Sequence, residues 1–206
     1  MRARTLGAAV GAVFAVMLAI VAVATMDFSP SRLPSPGKQQ SGSGTALVGG
    51  AFTLTGEDGK PVTDADFKGK PTAIFFGFTF CPDVCPTTLF ELSGLIEALG
   101  PQADKLNFAF VSVDWERDGP EQLARYTSSF DARIEGLSGT EEQIEAVTKA
   151  YRVYYKKVPT DDGGYTIDHT ASVYLMDKDG QFVGTLSYGE EHQSMLEKLK
   201  RLAGNM

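Results

Sequence analysis

The order of elements along the sequence predicts an α/β fold, a central mixed sheet with helices on its faces. Three observations carry this expectation. Thr72 to Phe80 (TAIFFGFTF) and Leu106 to Val113 (LNFAFVSV) are almost wholly apolar and β-prone, as strands covered on both faces are. Stretches with helix signals follow each of these runs. Two polar turns, Asp58-Gly59 and Asp177-Lys-Asp-Gly180, each sit between β-prone segments and predict hairpins.

Taken in order, Phe52-Thr-Leu-Thr55 and Lys60-Pro-Val-Thr63 form the N-terminal hairpin around Asp58-Gly59. The strand Thr72 to Phe80 comes next, then a helix from about Pro86 to Leu99, with Gly100 placed to end it. After the strand Leu106 to Val113, Pro120 to Phe130 reads as a helix with proline in its first turn. Ile134 to Leu137 is a short strand, and Thr140-Glu-Glu-Gln143 is a capping box that opens a helix to about Tyr151. Ala171 to Met176 and Gln181 to Ser187 make the second hairpin, and a helix from about Glu190 to Leu202 closes the chain. Lys156 to Asp168 (KKVPTDDGGYTID) is polar and contains glycine, and reads as a loop inserted before the strand that follows His169.

The first part of the chain differs in kind. Leu6 to Met26 are 21 residues without a charged side chain, enough to cross a bilayer as a helix. Arg2 and Arg4 precede them, so the positive end stays in the cytoplasm and the bulk is exported. Ala22-Val23-Ala24 has the form of a signal cleavage site, but the run is longer than the roughly 7–15 apolar residues of a signal peptide. The expected organisation is an uncleaved anchor over 1–26, a Pro/Ser/Gly linker over 27–48 and a folded domain over 49–206. A coil of about 20 residues spans roughly 25 Å, which lets the domain move sideways near the membrane. The setting this implies is a bacterial inner membrane with the domain in the periplasm.

Composition narrows the chemistry. Beyond the anchor there are 17 bases against 26 acids, a net −9, which argues against nucleic acid as a partner. Two cysteines exclude a disulfide-rich scaffold and a four-cysteine zinc site, and two histidines exclude His-rich metal sequestration. Six scattered methionines exclude a Met-rich carrier. With no coiled coil and no large apolar stripe, the domain reads as a monomer.

Both cysteines lie in Cys81-Pro-Asp-Val-Cys85-Pro, immediately after the first core strand. In open α/β sheets, sites lie where strands turn into helices at their carboxyl ends. Pro86 disfavours α conformation at Cys85 and suits the first helical position, so Cys85 belongs near the helix N-cap. Unpaired N–H groups and the helix dipole favour a thiolate there. A structural disulfide over three intervening residues would restrict little chain entropy. The pair can clasp a soft metal ion or close into a disulfide, and the motif alone does not choose. If the strand after His169 runs beside the strand ending at Phe80, His169 and Asp168 join the cysteines. Two sulfurs and one nitrogen suit copper, thiolates selecting Cu(I) and imidazole accommodating Cu(II). A structural zinc site wants a fourth protein ligand, for which only Asp168 is available. His192, on the polar face of the last helix, reads as solvated.

Phe78-Thr-Phe-Cys81-Pro-Asp-Val-Cys85-Pro, Ser112-Val-Asp-Trp-Glu-Arg-Asp118, Ala150-Tyr-Arg-Val-Tyr-Tyr155 and Asp168-His-Thr170, in this order, resemble the Sco/SenC copper proteins. Gly50-Ala-Phe-Thr-Leu-Thr55 resembles the family's entry strand, and the likeness runs from about Gly49 to Leu202. The resemblance implies a thioredoxin-like fold, a single N-terminal anchor and copper held by Cys81, Cys85 and His169, with Asp168 next to the ligands. It also implies as partners other copper carriers and cytochrome c oxidase subunit II, whose binuclear copper centre the protein would help to assemble. The family usually has proline where this chain has Trp115, a departure that touches none of the ligands. Two mechanisms stay open: a metallochaperone, or a thiol–disulfide oxidoreductase with Cys81 and Cys85 as its redox pair. Thioredoxins carry a proline just before the strand facing the Cys turn. Here that place reads His169-Thr170-Ala171, which favours copper handling.

Overall fold

The computed structural model describes residues 48–204. The anchor and nearly all of the linker expected from the sequence lie outside the described residues. Among those described, no helix is long and apolar enough to cross a membrane.

The core is a parallel trio of strands, β3 (Thr72–Gly77), β4 (Asn107–Ser112) and β5 (Ile134–Ser138). All six residues of β3 are buried, as its unbroken apolar run requires of a strand covered on both faces. β1 (Thr53–Gly56) and β2 (Pro61–Thr63) form the expected N-terminal hairpin, and β1 adds antiparallel to β5. Gly59 takes a φ of +78° in its turn, a conformation glycine adopts without steric cost. On the other side, β8 (Ser172–Met176) pairs antiparallel with β3, and β9 (Phe182–Ser187) closes the edge. The resulting seven-stranded sheet has the order β2-β1-β5-β4-β3-β8-β9.

Helices cover both faces. α1 (Val84–Leu99) and α2 (Pro120–Thr127) lie on the face that carries Phe75 and Phe110, whose rings stack at 6.0 Å. α3 (Glu141–Tyr151) presents Tyr151 to the opposite face, 5.5 Å from the Phe76 ring and 6.4 Å from Tyr174. The Thr140/Gln143 capping box opens α3 as read from the sequence, and Arg152 ends it in the left-handed conformation. α4 (His192–Gly204) packs on α1 through Met195, Leu196, Leu199 and Leu202.

Three expectations need correction. The first core strand ends at Gly77, not Phe80. Asp118 takes the Thr79 N–H and hydroxyl at 2.8 and 2.6 Å, which draws Phe78 to Phe80 out of the ladder. The following helix begins at Val84, so Pro86 is its third residue. That position has no intrahelical N–H partner to lose either, so proline is tolerated there. The inserted loop before His169 is a second small sheet, β6 (Tyr155–Pro159) paired antiparallel with β7 (Tyr165–His169). Its turn is made by Asp161-Asp-Gly163, with Gly163 at a φ of +82°. The run read as polar because long polar side chains alternate with the few apolar ones.

Gly77 is where backbone meets the helix most closely. A Cβ there would lie 2.7 Å from the Cys85 Sγ and 2.9 Å from Phe110. Gly77→Ala is therefore expected to lower unfolding free energy by about 1–3 kcal/mol. Chemical denaturation measures it, and an unchanged midpoint would show that the helix start has room to move.

Candidate metal centre

Cys81, Cys85 and His169 converge, with one possible ligand atom from each lying within 4.8 Å of the others. Cys85 is fully buried, while Cys81 and His169 are partly exposed, so the site opens on their side. Both cysteines are free thiols.

Each donor is placed by a different piece of local structure. Cys85 is the second residue of α1, and its N–H is one of the amides that a helix start leaves without an intrahelical acceptor. Cys81 Sγ accepts it at 3.4 Å. The Asp83 side chain at the N-cap makes no capping bond to the backbone, so the sulfur takes the part a cap oxygen has elsewhere. Cys81 itself is held by the loop that Asp118 anchors. That carboxylate is buried, and it accepts from Thr79 N–H, Thr79 Oγ1 and, at 2.6 Å, from Ser112 Oγ. Gln122 adds a bond to Thr79 Oγ1 at 3.1 Å.

His169 ends β7, and its ring meets the rings of Phe78 and Phe75 edge-on at 5.7 and 6.0 Å. Its Nδ1 lies 3.1 Å from the Thr170 carbonyl, an acceptor only, so in the neutral ring Nδ1 carries the proton. Nε2 then presents its lone pair toward Cys85 Sγ, 3.3 Å away. This is the tautomer a metal-binding imidazole needs, fixed by the bond its other nitrogen makes.

The two thiols are held apart in acidity. Cys81 is lowered to about 4, first by the hydrogen bond from the Cys85 side chain, then by His169 and the Cys85 and Asp83 backbone, against the cost of its partial burial. Cys85 is pushed up, by its bond with Cys81, by burial and by repulsion from the Cys81 charge. One proton is thus shared by a site with one open thiolate and one buried thiol. A cation that replaces this proton faces two sulfurs and one nitrogen, a soft donor set.

Asp168 does not join them. Neighbours along a strand point to opposite faces, and Asp168 is exposed, outside the ligand group. His192 lies at the start of α4 and pairs through Nδ1 with Glu91 Oε1, with about half of its side chain exposed. Asp114, Arg117 and Asp118, which nothing in the sequence singles out as donors, build the surroundings of the site. Their signal was a set of acids and an arginine directly after a buried strand, where charges survive only if paired.

A model of the SCO1/SenC family matches residues 40–204. Among curated relatives, Protein SenC of Rhodobacter capsulatus is 39% identical over 140 residues, covering 68% of this chain and 63% of that protein. Protein SCO1 homolog 1, mitochondrial, of Arabidopsis thaliana is 39% identical over 156 residues, 75% of this chain and 46% of the relative. The chain thus spans about half to two thirds of the length of such relatives. A solved structure of Bradyrhizobium japonicum ScoI with copper bound is 55% identical, with a TM-score of 0.71, and covers 75% of this chain and 99% of that one. The seven-stranded sheet with helices on both faces is the thioredoxin-like fold these proteins share. With its motifs, fold and three-donor cluster agreeing, the chain belongs to the SCO1/SenC family.

Proposed function

We propose that this protein is a copper metallochaperone, holding Cu(I) or Cu(II) on Cys81, Cys85 and His169 and passing it on by ligand exchange. The observation that carries the reading is the three-donor cluster itself. Two sulfurs and a nitrogen lie within 4.8 Å, with no carboxylate among them. Thiolates hold the softer Cu(I), and the imidazole extends the site to Cu(II). A buried Cys85 beside two more accessible donors suits transfer, since an acceptor's ligand can replace Cys81 or His169 before the last bond is given up. The copper carried by the solved ScoI relative supports the same reading.

As the family resemblance implies, the acceptor is the binuclear copper centre of cytochrome c oxidase subunit II. An N-terminal anchor over 1–26 would hold the domain on the periplasmic side of the inner membrane, where a membrane-bound acceptor is met by lateral diffusion.

A second reading has its own observation. An accessible thiolate next to a buried thiol is the arrangement of an attacking and a resolving cysteine. The protein would then reduce the acceptor's disulfide, leaving its own Cys81–Cys85 pair oxidised. The two readings part at His169, a ligand in copper binding and only one of several groups that favour the Cys81 thiolate in disulfide exchange.

Copper titration of the full chain should show one tight site, lost in Cys81→Ala and in Cys85→Ala. His169→Ala should weaken Cu(II) by roughly tenfold or more while Cu(I) stays within about twofold. An unaltered Cu(II) spectrum in His169→Ala would remove the histidine from the ligand set. In cells, His169→Ala with both cysteines intact is expected to lose oxidase activity, and full activity would instead favour the reductase. In the reduced, metal-free protein, Cys81 should be alkylated at a rate that is nearly flat from pH 6 to 8, because its thiol is already ionised with a value of about 4. An ordinary thiol gains about tenfold per pH unit over that range, and such a slope at Cys81 would remove the basis of the reductase reading.

A further inference from the structure

The strand that carries His169 is not part of the main sheet. Among the described residues, β6 and β7 pair as strands only with each other, forming a ribbon separate from the seven-stranded sheet. The position of the imidazole relative to the cysteines therefore depends on side chains as well as on the two residues that join His169 to β8. Tyr165, Ile167 and His169 share one face of β7, the face turned to the body of the domain, where Ile167 is buried.

Among the described residues, the polar links from this ribbon to the body converge on one segment, the turn between β4 and α2. Arg117 Nη1 donates to the Tyr165 carbonyl at 3.1 Å, and its guanidinium carbon lies 3.8 Å from the Tyr165 ring centroid. The Tyr165 hydroxyl lies 2.7 Å from Asp114 Oδ1 and 3.0 Å from Glu116 Oε2. Lys157, across the ribbon, pairs with Glu116 at 2.7 Å and sits 4.1 Å from the Trp115 ring centroid. Elsewhere the ribbon reaches the body at His169, next to Cys85 and Cys81, and at Tyr155, next to Thr148.

Arg117 also reaches the other half of the site. Its guanidinium lies 4.7 Å from the centre of the Phe80 ring, next to Cys81 in the chain, and Phe80 is 54% exposed. Its Nε is held by the buried Asp114 carboxylate. Nη2 is buried without a hydrogen-bond partner among the described residues, so this part of the guanidinium is held by the rings around it. A planar cation in contact with two rings and anchored by a buried acid connects the cysteine loop to the histidine ribbon.

We infer that Arg117, in contact with the rings of both Phe80 and Tyr165, is a positioning residue that clasps the β6–β7 ribbon against the cysteine loop and so sets how firmly His169 is offered to the metal. The inference rests on the copper-handling reading of the site. Loosening the clasp withdraws the imidazole and leaves the two thiolates, shifting the site from Cu(II) toward Cu(I). Lysine cannot replace arginine here, because it has neither the planar face nor the fork of donors.

Two measurements on the full chain test this. In the reduced, metal-free protein, Arg117→Met should speed amide exchange in residues 155–169 about tenfold while β3 and β4 amides are unchanged. On copper addition the same variant should lose about tenfold or more in Cu(II) affinity, with Cu(I) affinity within about twofold. Arg117→Lys should behave like Arg117→Met, whereas Tyr165→Phe, which keeps the ring, should keep most of the wild-type protection. Should Arg117→Met unfold, seen as fast exchange in β3 and β4 as well, Arg117→Lys and Tyr165→Leu provide the same reading. Unchanged exchange in residues 155–169 overturns the clasp, as does a Cu(II) affinity and spectrum identical to wild type. A wild-type chain that binds no copper overturns the functional reading instead, and the exchange experiment still decides the clasp.

Discussion

The antiparallel pairing of β8 with β3 is the constraint on which the site depends. It aligns Phe75 with Val173 and Ile74 with Tyr174, so the residues just before β8 arrive beside the end of β3. Cys85 and His169 are 84 positions apart in the chain, yet this pairing leaves their side chains 3.3 Å apart. Both strands are locked by burial. Since β8 is covered on both faces, a slip of one residue would exchange Val173 and Leu175 with Tyr174 and Met176 and break the packing on each side, so the register is well determined. The absence of a side chain at Gly77 completes the arrangement, since it lets the first turn of α1 come down onto the strand end and bring Cys85 beneath the imidazole.

Within this frame the two cysteines are chemically unequal although they are four residues apart. Cys85 belongs to the helix and to the core, where burial opposes ionisation. Cys81 lies in the loop before it, where orphan amides of the helix start and the positive end of its dipole favour negative charge. A helix N-terminus that lacks a side-chain cap is thus satisfied by a sulfur. The same sulfur is the more exposed of the two thiols.

The charged residues after β4 divide the remaining work. Asp118 is buried and accepts three donors, two of them from Thr79, which fixes the approach to Cys81. Asp114 is buried as well and faces outward to Arg117 and Tyr165. A carboxylate removed from water is tolerated only with such partners, and each of these two ties a segment of the site, the cysteine loop or the histidine ribbon, to the turn after β4. Trp115 stands in the same turn and packs on Tyr155 and Lys157 of the histidine ribbon.

Most of the architecture was legible in the chain. The buried strands announced themselves as unbroken apolar runs, the hairpins by Asp-Gly turns, and α3 by its capping box, because each of these is a local preference. The two cysteines were legible by their scarcity and their place after a core strand, and His169 by the motif around it. The end of the first strand at Gly77 was not, since Thr79 leaves the ladder for a carboxylate 39 residues away. Nor was the ribbon that carries His169, whose polar composition hid its alternation. Asp168 shows the limit most directly. It adjoins His169 in sequence and stands on the opposite face in space, because strand geometry separates neighbours. The sequence by itself determined which donors the protein has and which elements bear them. The tertiary structure alone decided which donors meet, because hydrogen bonds and ring contacts between segments far apart in the chain set their distances.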